Sequence, residues 1–151
     1  MRGRKALTVA VVATALIAAG TAVASTTYSR SGPLTASFTA GTHTPDCKQK
    51  WPVTVAATWN GHPAHASAYY QFLYQGQVVG TQYPFSSTSK NPHNRVWNFY
   101  KSFYDNTFGP FGANAVGQPL TVRAVVRDGK YTVYPSYWVK VKSASGCPPS
   151  R

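Results

Sequence analysis

The chain has 151 residues, with 15 Lys or Arg against 3 Asp or Glu, 4 His and 2 Cys, and a formal net charge of +12. That length suits one domain and excludes a large multidomain enzyme. The only acidic residues are Asp46, Asp105 and Asp128, which excludes most chemistry that depends on paired carboxylates. A hydrophobic fraction of 43% and an aromatic fraction of 14% exclude a disordered polyelectrolyte. Abundant Val, Thr, Tyr, Trp and Phe favour an all-β fold.

Residues 1–24 have the pattern of an export signal. Basic residues within the first five positions are followed by an uncharged stretch rich in Ala, Val, Leu and Thr. The stretch ends in the small residues Ala22 and Ala24, as signal peptidase requires, so we expect cleavage between Ala24 and Ser25. The alternative is an uncleaved membrane anchor, although several threonines make the run only mildly apolar. Cleavage removes three positive charges and no acids from the formal +12, which leaves +9.

Composition divides the rest of the chain into three parts. Residues 25–45 are rich in Ser, Thr, Gly, Pro and Ala and lack a sustained hydrophobic period, which predicts a flexible spacer with at most one short edge strand near 34–38. Residues 46–147 carry the strand patterns and form the predicted domain. Residues 148–151 are a polar tail.

Two strand patterns with tight turns open the predicted domain. Residues 51–59 alternate between large apolar and smaller or polar side chains and end at Asn60-Gly61, a turn dipeptide. Residues 68–74 form a second predicted strand, which the turn at Gln75-Gly76-Gln77 returns into a strand at 78–79.

The second half of the domain contains the clearest hairpin. Residues 120–126 alternate, Asp128-Gly129 supplies a tight turn, and residues 131–141 return. Pro135 predicts that the returning strand bulges or lies at an edge. Residues 92–112 fit a helical and a strand period about equally well, and we favour one or two strands with a long crossover.

These patterns resemble bacterial extracellular immunoglobulin-like or fibronectin type III-like β-sandwich domains. The likeness is carried by the strand led by Trp51, the hairpin at 69–79, the strand at 117–126 and the turn at Asp128-Gly129, and it covers about residues 47–147. It implies a single immunoglobulin-like antiparallel β-sandwich. It also implies adhesion, recognition or spacing, and it carries over no catalytic residues.

Cys47 and Cys147 lie 100 residues apart at the two ends of the patterned region. Export and an even number of cysteines favour a disulfide, so we predict a structural bridge that joins the two ends of the domain. In an immunoglobulin domain, by contrast, the bridge joins the two sheets beside a Trp. The alternative, a reactive thiol, needs a lowered pKa and a nearby base, and nothing in the local sequence indicates either.

Signatures of catalysis and metal binding are weak. Asp105 is the one acidic residue outside a turn or a cysteine neighbourhood, and no Gly-x-Ser-x-Gly motif accompanies the histidines. His62 and His65 are spaced like two metal ligands that His43 and His93 could complete, but no acidic ligand lies near them in the sequence. We therefore predict that the protein is not an enzyme and uses no cofactor and no metal.

The excess of basic residues predicts an exposed surface that attracts anionic partners. Lys48 and Lys50, and Lys140 and Lys142, are alternating pairs, which we expect to project from the outward faces of the first and last predicted strands. The predicted bridge would hold the two pairs near each other. The alternative is that positive charge only keeps the domain soluble.

The segment 97–111 is a second candidate binding region, because seven of its residues are aromatic. We take Trp97, Tyr100, Lys101 and Tyr104 as candidate binding residues, since rings beside cations stack on sugars or bases. The alternative is that these rings fill the core of a small sandwich.

Together these features predict a secreted, non-catalytic protein that binds or adheres at the cell envelope, in the periplasm or cell wall, or outside the cell. The expected partner is an anionic envelope polymer, a carbohydrate or an extracellular protein rather than nucleic acid. A membrane is expected as partner only if the signal stays as an anchor. The alternative function is a secreted inhibitor of an extracellular hydrolase that presents a loop at 85–95. The sequence has no Asn-x-Ser/Thr acceptor site, which fits a bacterial product.

Overall fold

The computed structural model describes residues 24–85 and 96–147, and within these ranges the chain forms eleven β-strands and one 3-10 helix at Ala113–Ala115. The strands are β1 (Ser25–Ser31), β2 (Leu34–Ala40), β3 (Val53–Trp59), β4 (His62–Pro63), β5 (His65–Tyr74), β6 (Gln77–Gln82), β7 (Trp97–Tyr100), β8 (Ser102–Asp105), β9 (Pro119–Asp128), β10 (Tyr131–Val133) and β11 (Ser136–Lys140). The predicted tail and all of the predicted signal except Ala24 lie outside the described residues.

The strands form two antiparallel sheets, which confirms the predicted all-β sandwich. In sheet 1, β1 pairs with β2 and β2 with β3, while β4 and β8 both pair with β3. In sheet 2, β9 pairs with β5, β10 and β11 pair with β9, and β6 and β7 pair with β5. The sheets face each other across one hydrophobic core.

Two of the predicted turns have the backbone conformation that a tight hairpin needs. Asn60 and Gly61 have φ values of 49° and 84°, and Gln75 and Gly76 have φ values of 49° and 81°. Two successive residues with positive φ make the turn whose twist matches that of the flanking strands. The Asn60-Gly61 dipeptide therefore forms the predicted turn, which joins β3 to β4.

The prediction of a flexible spacer at 25–45 is wrong. Residues 25–40 form the β1–β2 hairpin, and β2 lies between β1 and β3 with every second side chain buried. Phe38 is fully buried, with its ring centroid 5.9 Å from that of Trp51 and 6.0 Å from that of Tyr137. The sandwich therefore begins at Ser25 and not at Asp46.

Residues 97–105 cross from one sheet to the other, as two short strands. β7 pairs with β5 in sheet 2 and β8 pairs with β3 in sheet 1, and Lys101 lies between them with a φ of 67°. The Lys101 amide donates to the Ala64 carbonyl, and the Ala57 amide donates to the Lys101 carbonyl, at 2.9 Å each. This crossing ties the two sheets together along one side of the sandwich.

Aromatic rings fill the core around Trp51. Its ring lies 5.3 Å from that of Phe108, 5.5 Å from that of Tyr137 and 5.8 Å from that of Phe111. The indole nitrogen donates to the Thr42 carbonyl at 2.8 Å, so the buried polar atom is satisfied. No helix among residues 24–85 and 96–147 is both long and apolar enough to span a bilayer.

Candidate functional site

A disulfide and a short ladder of backbone hydrogen bonds hold the loop between β2 and β3 against the end of the domain that follows β11. Cys47 and Cys147 form the predicted bridge, with their Cα atoms 5.4 Å apart. The Lys140 amide donates to the His43 carbonyl and the Lys142 amide to the Pro45 carbonyl, both at 2.8 Å. The segment before the first cysteine therefore runs beside the end of β11.

The four predicted lysines do not all lie on one surface. All four are exposed. Lys142 forms a bridge pair with Asp46, two residues before Lys48, and the Lys48 side chain lies against Gly146. Lys50 instead lines a cavity of about 350 Å³ together with Tyr104. Lys48 and Lys50 lie in the loop before β3, so the expectation that they project from the first strand is wrong.

An exposed row of side chains follows β11 on the outer face of sheet 2. Alternate residues point outward while the residues between them, including Tyr137 and Val139, are buried. Trp138 is 56% exposed and Tyr134 is 45% exposed. We call this set the outer row, and its members are Tyr134, Ser136, Trp138, Lys140 and Lys142.

The neighbouring strand β9 supports one end of the outer row. The guanidinium carbon of Arg123 lies 4.7 Å from the ring centroid of Tyr134, and its Nε donates to Oε1 of Gln71 at 2.8 Å. A guanidinium over an aromatic face is attracted to the ring and limits its motion. Tyr134 is thus held in place beside a positive charge.

His43 supports the middle of the row. Its Nδ1 donates to the Trp138 carbonyl at 2.7 Å, and its ring stacks on the indole with centroids 4.1 Å apart and planes inclined by 9°. The same ring stacks on Tyr137 at 4.0 Å, and its Nε2 lies 3.1 Å from the Ser25 hydroxyl. Because His43 holds the Trp138 ring in place, that ring loses little conformational freedom when a ligand stacks on its open side.

The predicted aromatic candidates do not gather at this surface, because the chain crosses between the sheets at Lys101. Trp97 packs on Phe85, with centroids 4.4 Å apart, and Tyr100 packs on His65 at 4.7 Å. Tyr104 is exposed on sheet 1, beside Lys50. The intervening residues Phe99 and Phe103 are buried in the core.

Sequence reasoning missed Tyr134, Trp138 and His43 as members of a surface. The signal was present, because outward positions from 134 to 142 alternate strictly with buried ones. What the sequence did not contain was the pairing of His43 with β11, which joins residues about a hundred positions apart.

Asp105 is fully buried and serves the core. Its Oδ2 accepts a hydrogen bond from the Tyr70 hydroxyl at 3.0 Å, and its Oδ1 accepts from the Thr107 amide at 2.8 Å and the Thr107 hydroxyl at 2.7 Å. Burial, followed by the charge and the hydrogen bond of Asp105, raises the pKa of Tyr70 above its usual value. Both carboxylate oxygens of Asp105 are therefore engaged in hydrogen bonds within the domain.

The raised pKa of Tyr70 predicts a loss of stability in alkali. The phenol stays protonated in the folded chain but ionises near pH 10.0 in the unfolded chain, so its contribution is complete below that pH and falls above it. We expect this group to lower the free energy of unfolding by about 1.4 kcal/mol for each further pH unit. Urea unfolding of the wild type and of Tyr70→Phe at several pH values measures the slope. Tyr70→Phe should be about 1–3 kcal/mol less stable at pH 7, because Asp105 loses a hydrogen-bond donor. Its free energy of unfolding should fall less steeply with pH in alkali than that of the wild type. Equal slopes in the two proteins would contradict a raised pKa at Tyr70.

Three of the four histidines considered as metal ligands lie in the described part of the chain, and they are on different elements. His62 and His65 are both exposed, on β4 and β5, and His65 packs on Tyr100. Among the described residues, no three His, Cys, Asp or Glu side chains are grouped to hold a metal ion. His93 and most of the predicted inhibitory loop at 85–95 lie outside the described ranges.

The outer row and its supports are therefore the candidate binding residues of the described surface. They combine two exposed rings and two lysines, in and beside β11, with Arg123 of the neighbouring strand β9. Comparisons with models of known protein families, with curated proteins and with solved structures find no match to this chain.

Proposed function

We propose that the protein is a secreted, non-catalytic binding protein that attaches to an anionic carbohydrate polymer of a cell envelope. The outer row is the observation that carries the proposal. Exposed rings at Tyr134 and Trp138 offer flat faces for the C–H faces of sugars, and Lys140 and Lys142 offer charge for carboxylate or phosphate groups.

The geometry of the row fits a linear ligand. Outward residues on a strand recur about every 6.6–6.8 Å, so the rings and the lysines form a line along one strand. That strand is fixed by five residue pairs with β9 and by the ladder to residues 43–47. A rigid row needs little ordering when a polymer binds along it.

The charge of the chain supports the same partner. The chain has 15 basic residues and 3 acidic ones, so few of the surface cations have an acidic partner in the chain. The disulfide supports a place outside the cytosol, because such bridges persist in oxidising compartments. The predicted export signal supports it as well.

The test compares two double variants, each of which removes two positive charges. Lys140→Gln with Lys142→Gln alters the outer row, whereas Lys50→Gln with Lys101→Gln alters exposed lysines elsewhere. Binding of the chain from Ser25 onward is measured by sedimentation with isolated envelope at low and high salt. We expect the outer-row pair to weaken binding about three- to tenfold and to reduce its salt dependence, while the control pair has little effect.

A third variant tests the aromatic part of the proposal. Trp138→Ala should weaken binding about 30-fold, in the range of a buried aromatic contact, while Tyr100→Ala, an equally exposed ring outside the row, should not. Salt-resistant capture of a single protein, or equal losses in both lysine pairs, would contradict the proposal.

A further inference from the structure

A cleft of about 580 Å³ opens at the end of the sandwich where β5 ends and β9 begins. One wall consists of residues from β5 and β6, and the other consists of residues 108–112 and the 3-10 helix. Its volume is within the range of about 300–1,000 Å³ that small-ligand sites occupy. Nothing in the outer row lines it, so it is a separate site.

The floor of the cleft is aromatic. The Phe72 ring lies 5.7 Å from that of Phe108 and 6.4 Å from that of Phe111, and the last two lie 6.1 Å apart. Phe108 also packs edge-on against Trp51 at 5.3 Å. Phe108 is fully buried and Phe111 is 6% exposed, so these two rings support the half-buried ring of Phe72, which forms the accessible apolar floor.

The segment that forms the second wall is anchored by backbone hydrogen bonds to the residues just before β3 and just after β11. The Trp51 amide donates to the Phe108 carbonyl at 2.8 Å, and the Gly117 amide donates to the Val141 carbonyl at 2.9 Å. Gly109 has a φ of 84°, and a Cβ there would lie 3.3 Å from the Gln49 carbonyl oxygen. Only glycine allows so close an approach without strain, so the loop and the cleft are formed before any ligand arrives.

The rim of the cleft carries uncharged polar groups. Tyr74, Gln82, Asn114 and Gln118 line it, and none of their side chains makes a hydrogen bond to another described residue. No charged side chain is among the described residues that line it, in a chain with 15 Lys or Arg. The cleft is thus an apolar floor with free donors and acceptors around it.

We infer that this cleft binds a neutral sugar residue. Aromatic rings pack against the C–H face of a sugar, and the amides of Asn and Gln both donate to and accept from hydroxyl groups. A carboxylate or phosphate would find no opposite charge in the lining. An acyl chain would cover the polar rim without replacing the hydrogen bonds that the rim makes to water.

The inference goes beyond the proposed function, because this site is uncharged and does not depend on the outer row. A glycan that has both neutral and anionic residues would contact both sites. Binding in the cleft alone should not change with salt, since no charge is involved.

Amide-resolved NMR titration of the chain from Ser25 onward tests the inference, with cellobiose and di-N-acetylchitobiose as neutral probes. We expect shifts in the amides of Gly80 and Gly112 and in the side-chain amides of Gln82 and Gln118. Loss of one hydrogen bond in Gln82→Ala or in Gln118→Ala should weaken binding about fivefold. Gln77→Ala, on the same strand but outside the cleft, is the matched control and should bind normally.

Three outcomes would overturn the inference: no shift at millimolar concentrations of either sugar, shifts only with a fatty-acid probe, or shifts that follow the β6 backbone when an extended peptide is added. The Lys140→Gln, Lys142→Gln variant should bind the neutral sugars as the wild type does. Failure of the outer-row proposal and failure of the cleft are therefore distinguishable.

Discussion

A chain that lacks residues 25–45 is expected not to fold. These residues supply β1 and β2, and β2 forms seven residue pairs with β3. Their removal takes Leu34 and Phe38 from the core, leaves the edge of β3 that faced β2 without hydrogen bonds, and exposes the ring of Trp51. Each large core side chain is worth about 2–5 kcal/mol, and a domain of this size has only about 5–15 kcal/mol of stability in total.

A pair of point variants in the same hairpin gives a graded form of this test. Phe38→Ala should lower the free energy of unfolding by about 3–5 kcal/mol, because Phe38 is fully buried between the sheets. Tyr28→Ala, in β1 and 73% exposed, should change it by less than about 0.5 kcal/mol. Urea unfolding followed by tryptophan fluorescence measures both. A truncated chain that folds, or equally small effects of the two variants, would instead support the prediction that residues 25–45 are a flexible spacer.

The β1–β2 hairpin was not predicted because the two faces of β2 differ little in hydrophobicity. The buried positions of β2 are Leu34, Ala36, Phe38 and Ala40, and two of the four are alanines. Ser and Thr occupy the other face, so the contrast between the faces is small and the period of two is faint. β3, with Val53 and Val55 on its inner face, shows the same period clearly.

The candidate site was predictable only in part for a different reason. Lys140 and Lys142 were identified from charge, and Cys47 and Cys147 from their even number together with the predicted export signal, all of which are local features of the sequence. Which rings share a surface depends on pairing between distant segments. The crossing at Lys101 disperses the rings between 97 and 104 over both sheets, while His43 reaches Trp138 through a ladder that no local pattern indicates.

Loss of the disulfide should have the second large effect. The bridge closes a loop of 100 residues, and in the chain-entropy model such a loop is worth about 4–5 kcal/mol, because it restricts the unfolded chain. We expect Cys47→Ala with Cys147→Ala, and the wild type under reductant, to lose similar amounts of stability. Alanine is chosen because Cys47 is fully buried and a serine hydroxyl there would need a partner.

The same variant connects stability with the outer row. The bridge lies beside the ladder that joins residues 43–47 to the end of β11, so without it that ladder is the part expected to open most easily. Opening would release Lys142 and the His43 ring that supports Trp138. Envelope binding by the double variant should therefore weaken about as much as in Lys140→Gln with Lys142→Gln, under conditions where far-ultraviolet circular dichroism shows the sandwich still folded. Unchanged binding together with the full loss of stability would show that the bridge stabilises the fold without organising the row.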